Sequence, residues 1–190
     1  MSTPRIPVPA QLMMSVMSAQ WDEVWPELKE RLEEHFGTID YESPCLPFDH
    51  TSYYNAELGE SISRKFVGFK QLFQQDTLVD IKLYTNQLEN HFARSDNRRR
   101  VNLDPGFITQ ERLVLATGKN FTHRIYLGQG IFGDLTLMYQ GKTWQVFPWT
   151  FPDYKSKETQ AHITALRRMH AFKLRSNHAD EHDRIWTMSD

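Results

Sequence analysis

Side chains able to hold an anion crowd one segment of the chain: Arg98, Arg99, Arg100 and Asn102, then Lys119, Asn120, His123 and Arg124. Arginine forks and lysine point charges suit phosphate or carboxylate groups. Lys82, Asn86, Arg100, Asn102, Lys119 and Arg124 are therefore the candidate ligand-binding side chains, with backbone amides near Gly128 and Gly130 as further donors. Lys82 and Asn86 join the set because residues four apart share one face of a helix. His123 is the candidate general acid or base, with Asp49 or Asp104 to orient it and Arg124 to stabilise developing charge; Asp80 and Asp134 are the other carboxylates considered. Successive strand residues point to opposite faces, so His123 and Arg124 are expected to share a pocket only if a bulge intervenes. The plainer alternatives are a hydrogen-bonded sheet histidine and arginines on a solvated surface.

Gly128-Gln129-Gly130-Ile131-Phe132-Gly133 spells G-x-G-x-x-G. A dinucleotide site needs a helix after those glycines, whereas Asp134 to Met138 reads as strand. A bulged bend between two strands is expected instead. Leu127 to Leu135 is similar to the glycine-rich loop of protein kinases, yet no matching lysine strand, H-R-D or D-F-G tripeptide follows. A phosphate-binding loop of the G-x-x-x-x-G-K-[ST] type is absent, since Gly118-Lys119 is followed by Asn120. His178 and His182 have helical metal-ligand spacing without a fixed third ligand, so no metal site is expected.

The elements that must position these residues follow from periodicity. Leu12, Met13, Met14, Val16 and Met17 form an apolar run sized for a buried central strand. Trp21, Val24, Trp25, Leu28, Leu32 and Phe36 form a helical stripe that ends at Gly37. Thr38–Ser43 reads as a strand leaving that helix, so Met13 to Ser43 is expected to be a β-α-β unit. Ser63–Phe69 fits a strand, and Leu78, Ile81, Thr85, Leu88 and Phe92 fit a helix. Asp104-Pro105-Gly106 has the chemistry of a type II turn. Four strands are expected over Arg112–Thr117, Thr122–Leu127, Ile131–Gln140 and Thr143–Trp149, the last two joined at Gly141-Lys142. Ile163, Leu166, Met169 and Phe172 predict a C-terminal helix.

The whole is expected to be one α+β domain over residues 10–175: a mixed or mainly antiparallel sheet, two or three helices on one face, and a C-terminal β-meander. A Pro-rich arm (1–9) should precede it and a charged, frayed tail (176–190) should follow. Hydrophobic residues make up 39% of the 190, which is enough for a packed core. The formal charge of −2 gives no field favouring a polyanion or an anionic membrane, so no nucleic-acid partner is expected. One cysteine, Cys45, no leader-like h-region and no long apolar run make the cytoplasm the expected compartment.

A set of strings spread over the chain carries a family resemblance. They are Phe36-Gly37 with Ile39-Asp40-Tyr41, Phe48 with Thr51 and Tyr53-Tyr54, Asp80-Ile81-Lys82-Leu83 with Thr85-Asn86, RVNLDPG at 100–106, LVLAT at 113–117, HRIYLG at 123–128, and P-W-T-x-P-D-Y at 148–154. On these, from Leu12 to about Lys173, the chain resembles a bacterial family known as domain of unknown function 4416. The resemblance implies a cytoplasmic protein and brings no catalytic residue. Some members carry the name GTP-binding protein, a name that the motifs above do not support.

The reading that follows is binding of a phosphorylated or carboxylated small molecule, a nucleotide among them. One alternative is a hydrolase or phosphoesterase built on His123 and a carboxylate. Another is a protein or RNA interaction module anchored by Tyr53, Tyr54, Trp149, Phe151 and Tyr154.

Overall fold

A computed structural model describes residues 2–48 and 54–187, with side chains as far as Ser176. The described residues form a single nine-stranded sheet in which every neighbouring pair is antiparallel. In chain order the elements are β1 (Ala10–Ser18), α1 (Trp21–Phe36), β2 (Ile39–Glu42), β3 (Leu46–Pro47), α2 (Asn55–Leu58), β4 (Ser63–Phe73), α3 (Leu78–His91), β5 (Asn102–Ile108), β6 (Arg112–Thr117), β7 (Arg124–Gly128), β8 (Ile131–Gln140), β9 (Thr143–Val146) and α4 (Lys157–Thr187). Across the sheet the order is β2-β4-β1-β5-β6-β8-β7, with β3 on β4 and β9 on β8.

β1 is the central strand that its apolar run predicts, and every residue in it is buried. Because side chains alternate along a strand, Leu12, Met14 and Val16 pack with Val24, Leu28 and Leu32 of α1 and with Ile81 and Leu88 of α3. Met13 points the other way, among Leu115, Leu137 and α4 residues Ile163 and Leu166. Helices therefore cover both faces, not one as the sequence reading had it. The cause is β1 itself, whose two apolar faces each need a lid.

Two further expectations change. β1, α1 and β2 do follow one another, but β4 lies between the two strands, so β1 and β2 do not pair. Asp104-Pro105-Gly106 is not a turn but the middle of β5. Proline is tolerated there because β6 pairs with β5 only from Gly106 onward, so the donor that Pro105 lacks has no partner strand to miss. Gly106 is required at that junction, since a Cβ would lie 2.8 Å from the Val114 carbonyl oxygen and 2.7 Å from Leu115 Cδ2.

The C-terminal strands pair through hairpins, but β8 rather than β7 lies beside β6, and β7 and β9 both occupy the far side of β8. The Gly141-Lys142 turn has φ of 60° and 63°, as a type I′ hairpin requires. α4 runs from Lys157 to Thr187. No described helix is long and apolar enough to cross a membrane.

Candidate functional site

Where β6 diverges from β5, the peptide of Leu103 is left without a strand partner, and α3 supplies one. Lys82 Nζ donates to the Leu103 carbonyl at 2.7 Å, and Glu89 Oε1 accepts from the Leu103 N–H at 2.6 Å. Lys82 and Glu89 are two turns apart on the buried side of α3. Burial pushes the Glu89 carboxyl above the usual carboxylate range, against the opposing pull of Lys82 and the Leu103 N–H. Lys82 also lies 3.7 Å from Asp104 Oδ1, and Asn102 Nδ2 donates to Asp104 Oδ2 at 2.7 Å. Arg99 completes the group by donating to Asn102 Oδ1 and pairing with Glu57 and Glu89. Burial works against the Arg99 cation, yet these two carboxylates hold its pKa above the ordinary arginine value.

Asp104 belongs to a polar patch that the register of three strands assembles. Met17 faces Arg64 on one side and Asn102 on the other; Ser15 faces Phe66 and Asp104. Paired residues share a face, so Arg64, Ser15, Asn102 and Asp104 stand together on the α4 side of the sheet. Across them lies a 3-10 turn, Pro152–Lys155, which sets Asp153 against Arg64 in a buried ion pair and Tyr154 over Phe66. The Arg64 guanidinium also lies 4.7 Å from the Phe48 ring centroid and 5.3 Å from that of Tyr154.

Three hydrogen-bonding atoms in this patch are buried without a well-formed hydrogen bond to the protein: Ser15 Oγ, Arg64 Nε and Tyr154 Oη. Ser15 Oγ and Tyr154 Oη lie close enough for a weak mutual hydrogen bond, which partly offsets the effect of burial on the Tyr154 phenol, but neither makes a well-formed bond to the protein. Burial raises the Tyr154 phenol far above its ordinary pKa, so it stays protonated as a donor. Unmet groups of this kind each cost about 1–3 kcal/mol, and native folds hold few of them. Asp104, with its side chain 35% exposed, opens the patch to solvent.

A second cluster lies on the same face. Gly106 of β5 pairs with Leu115, Leu115 with Asp134 and Asp134 with Arg124, which carries the row two strands beyond β5 to Asp134, roughly 10 Å at ordinary strand spacing. His123 Nε2 donates to Asp134 Oδ2 at 3.1 Å, and Arg124 Nε donates to the same oxygen at 2.9 Å. They reach one acceptor without a bulge because His123 sits in the turn before β7, while Arg124 is the first residue of that strand. The His123 ring stacks on Trp149, which stacks in turn on Phe147. His123 Nδ1 is buried and unpartnered.

The candidate residues thus divide. Lys82, Asn102 and Asp104 come together, with Asn86 half-buried one turn beyond Lys82. His123 and Arg124 meet around Asp134, which takes the orienting place considered for Asp49 or Asp104, and Arg124 also donates to the Lys119 carbonyl. Arg100 stands apart at the start of α1, held by Gln20 and Glu23. Gly128 and Gly130 form the β7–β8 hairpin with left-handed φ of 131° and 78°, and the Gly130 N–H is directed at the Tyr126 hydroxyl, 3.4 Å away. Asp49 lies outside the described residues, as do the side chains of His178 and His182. No cluster of three or more metal-binding side chains occurs among the described residues.

The sequence reading missed Ser15, Arg64 and Asp153. Ser15 did leave a trace, as the one polar residue at period two between Met13 and Met17.

Comparison with known proteins returns a family and nothing finer. No curated protein and no solved structure matches this chain. Three of the strings that carry the resemblance, those around Lys82, Asp104 and Tyr154, meet in the polar patch. The family's sequence profile, described as Domain of unknown function (DUF4416), matches residues 8–170, and the chain belongs to that family.

Proposed function

We propose that this chain binds a small phosphorylated or carboxylated molecule on the sheet face around Asp104. The supporting observation is the convergence of Ser15 Oγ, Arg64 Nε and Tyr154 Oη, all buried and none with a well-formed hydrogen bond to the protein, from β1, β4 and the turn after β9. Each carries a proton to donate. Three donors, one of them on a guanidinium, suit an oxyanion better than a neutral amide or an apolar group. The nearby carboxylates need not repel it, since Asp153 is paired with Arg64 and Asp104 is held by Asn102 and faced by Lys82. Lys82 and Asn102 border this site, whereas Arg100, Lys119, Arg124, Gly128 and Gly130 are engaged elsewhere. Nucleotides belong to this ligand class.

A thermal-shift panel of inorganic phosphate, sugar phosphates, nucleotides and simple dicarboxylates tests the reading. A binding member at 100 times its Kd stabilises the fold by about 2.7 kcal/mol, and Tyr154→Phe and Ser15→Ala should each reduce that shift. A panel without effect on the wild type, or one that stabilises both variants as much as the wild type, contradicts it.

A hydrolytic reading draws support from the second cluster. Asp134 holds one nitrogen of His123, leaving Nδ1 as the proton-accepting atom, and Arg124 supplies positive charge beside it. Turnover of generic phosphate or carboxylate esters that disappears in His123→Asn supports this reading; equal turnover in the variant ends it.

A further inference from the structure

The two outer edges of the sheet differ in kind. At β2 the edge carries Asp40, bound to Lys173, and Glu42, bound to Lys29 and Lys65. Charged side chains of this sort are how sheets discourage further pairing. β7 is short and its pairing with β8 shifts register between Tyr126 and Gly128, but it presents no outward charge. Its sequence is Arg-Ile-Tyr-Leu-Gly, and its one charge is turned inward onto Asp134. Ile125 is 69% exposed and Tyr126 60%, with Leu127 close behind.

The apolar surface continues past the strand. Phe121 stands 5.5 Å from His123, Val146 is exposed on β9, and Trp149 donates to the carbonyl of Leu135, one of the two β8 residues between those paired with β7 and those paired with β9. Trp149 thus fills the gap between the two edge strands. With about 200 Å² for each fully exposed large side chain, these six residues, distributed over both faces of the edge, present roughly 650 Å² of apolar surface in all. One partner's share of a standard interface is about 800 Å², and the strand backbone and rim supply the remainder.

We infer that two copies of this chain associate through antiparallel pairing of β7 with β7, joining their sheets into one. The strand is self-complementary in that arrangement. A two-fold axis at Tyr126 sets Tyr126 against its own copy, Ile125 against Leu127 and Arg124 against Gly128, so no like charges face each other. A patch of this size and composition on a lone chain would be an association liability, and a second copy supplies a matching edge without a separate partner. This inference rests on the edge alone and is independent of ligand binding around Asp104.

Sedimentation equilibrium of the full chain over a wide concentration range gives the test. Twice the chain mass is expected, with a dissociation constant at least roughly tenfold higher in Ile125→Lys and Tyr126→Lys, as for loss of a central interface anchor. Both side chains are mostly exposed, so circular dichroism should stay as in the wild type, and any fall in Tm should vanish at concentrations where the wild type is itself monomeric. Tyr126→Cys in a Cys45→Ser background should form a disulfide-linked dimer on mild oxidation, because the axis places each residue 126 opposite its copy. A monomer at every concentration, a dimer indifferent to both lysine variants, or no cross-link at residue 126 overturns the inference.

Discussion

Lys82 and Glu89, two turns apart on α3, bind the carbonyl and the N–H of the same residue, Leu103, and so act as the neighbouring strand that β6 fails to supply. A helix side chain here completes a sheet edge inside the molecule. Lys82→Met should therefore cost about 1–3 kcal/mol, the penalty of a buried carbonyl left unpaired, measured by urea unfolding. A change below about 0.5 kcal/mol, the usual range for surface substitutions, would show that the contact does not support the fold.

Glu89 titrates in a way that sets the direction of a pH effect. Its folded pKa is raised, chiefly by burial, so the protonated form is favoured in the fold. The associated stability is fully present below the unfolded value of about 4.5 and is lost as pH rises through the higher folded value. Glu89→Gln lacks this component. Its stability relative to wild type should improve steadily as pH rises from acid toward neutrality, read from unfolding free energies at a series of pH values. Parallel curves would mean that Glu89 is not perturbed.

Gly106→Ala places a methyl group against the Val114 carbonyl, an atom that can move only by shifting β6. Overpacking of this kind costs about 1–3 kcal/mol. At Gly68 the nearest atom is instead the end of the flexible Leu166 side chain, so Gly68→Ala should cost less. Thermal denaturation of the two variants checks the order, and the reverse order would place the tight junction elsewhere.

Arg64 and Asp153 form a buried pair. Removing either partner alone, as in Arg64→Met or Asp153→Asn, should destabilise by about 3–5 kcal/mol, whereas the double variant should recover much of that loss. A double-mutant cycle with additive costs would show that the two charges do not interact.

Much of this architecture could be read from residue order, because apolar periodicity is a local signal. The stripe from Trp21 to Phe36, the buried run of β1, the α3 stripe and the Gly141-Lys142 turn all appear where expected. Asp104-Pro105-Gly106 was misleading for a tertiary reason. Turn chemistry is local, but whether a proline in a strand does harm depends on where the neighbouring strand ends, which the sequence does not state. The site was legible in part. The chemistry of Lys82, Asn102 and Asp104 marks them as candidates and they do meet, whereas Arg64 and Asp153 are 89 residues apart and join only through strand register and the turn after β9. Lys82, Arg100 and Arg124, grouped as one candidate set by their chemistry, do not share a hollow: Lys82 holds the Leu103 carbonyl, Arg100 pairs with Glu23 and Arg124 with Asp134.

The claim on which the functional account turns is that the unmet donors around Asp104 await an oxyanion. A crystal soaked with selenate or tungstate, measured at the absorption edge of the heavy atom, locates such an anion directly. The account predicts an anomalous peak with its oxygens in hydrogen-bond reach of Arg64 Nε, Ser15 Oγ and Tyr154 Oη, and no peak there in Tyr154→Phe/Ser15→Ala. Anomalous density only at other surfaces, with those three atoms bound to water alone, would contradict it.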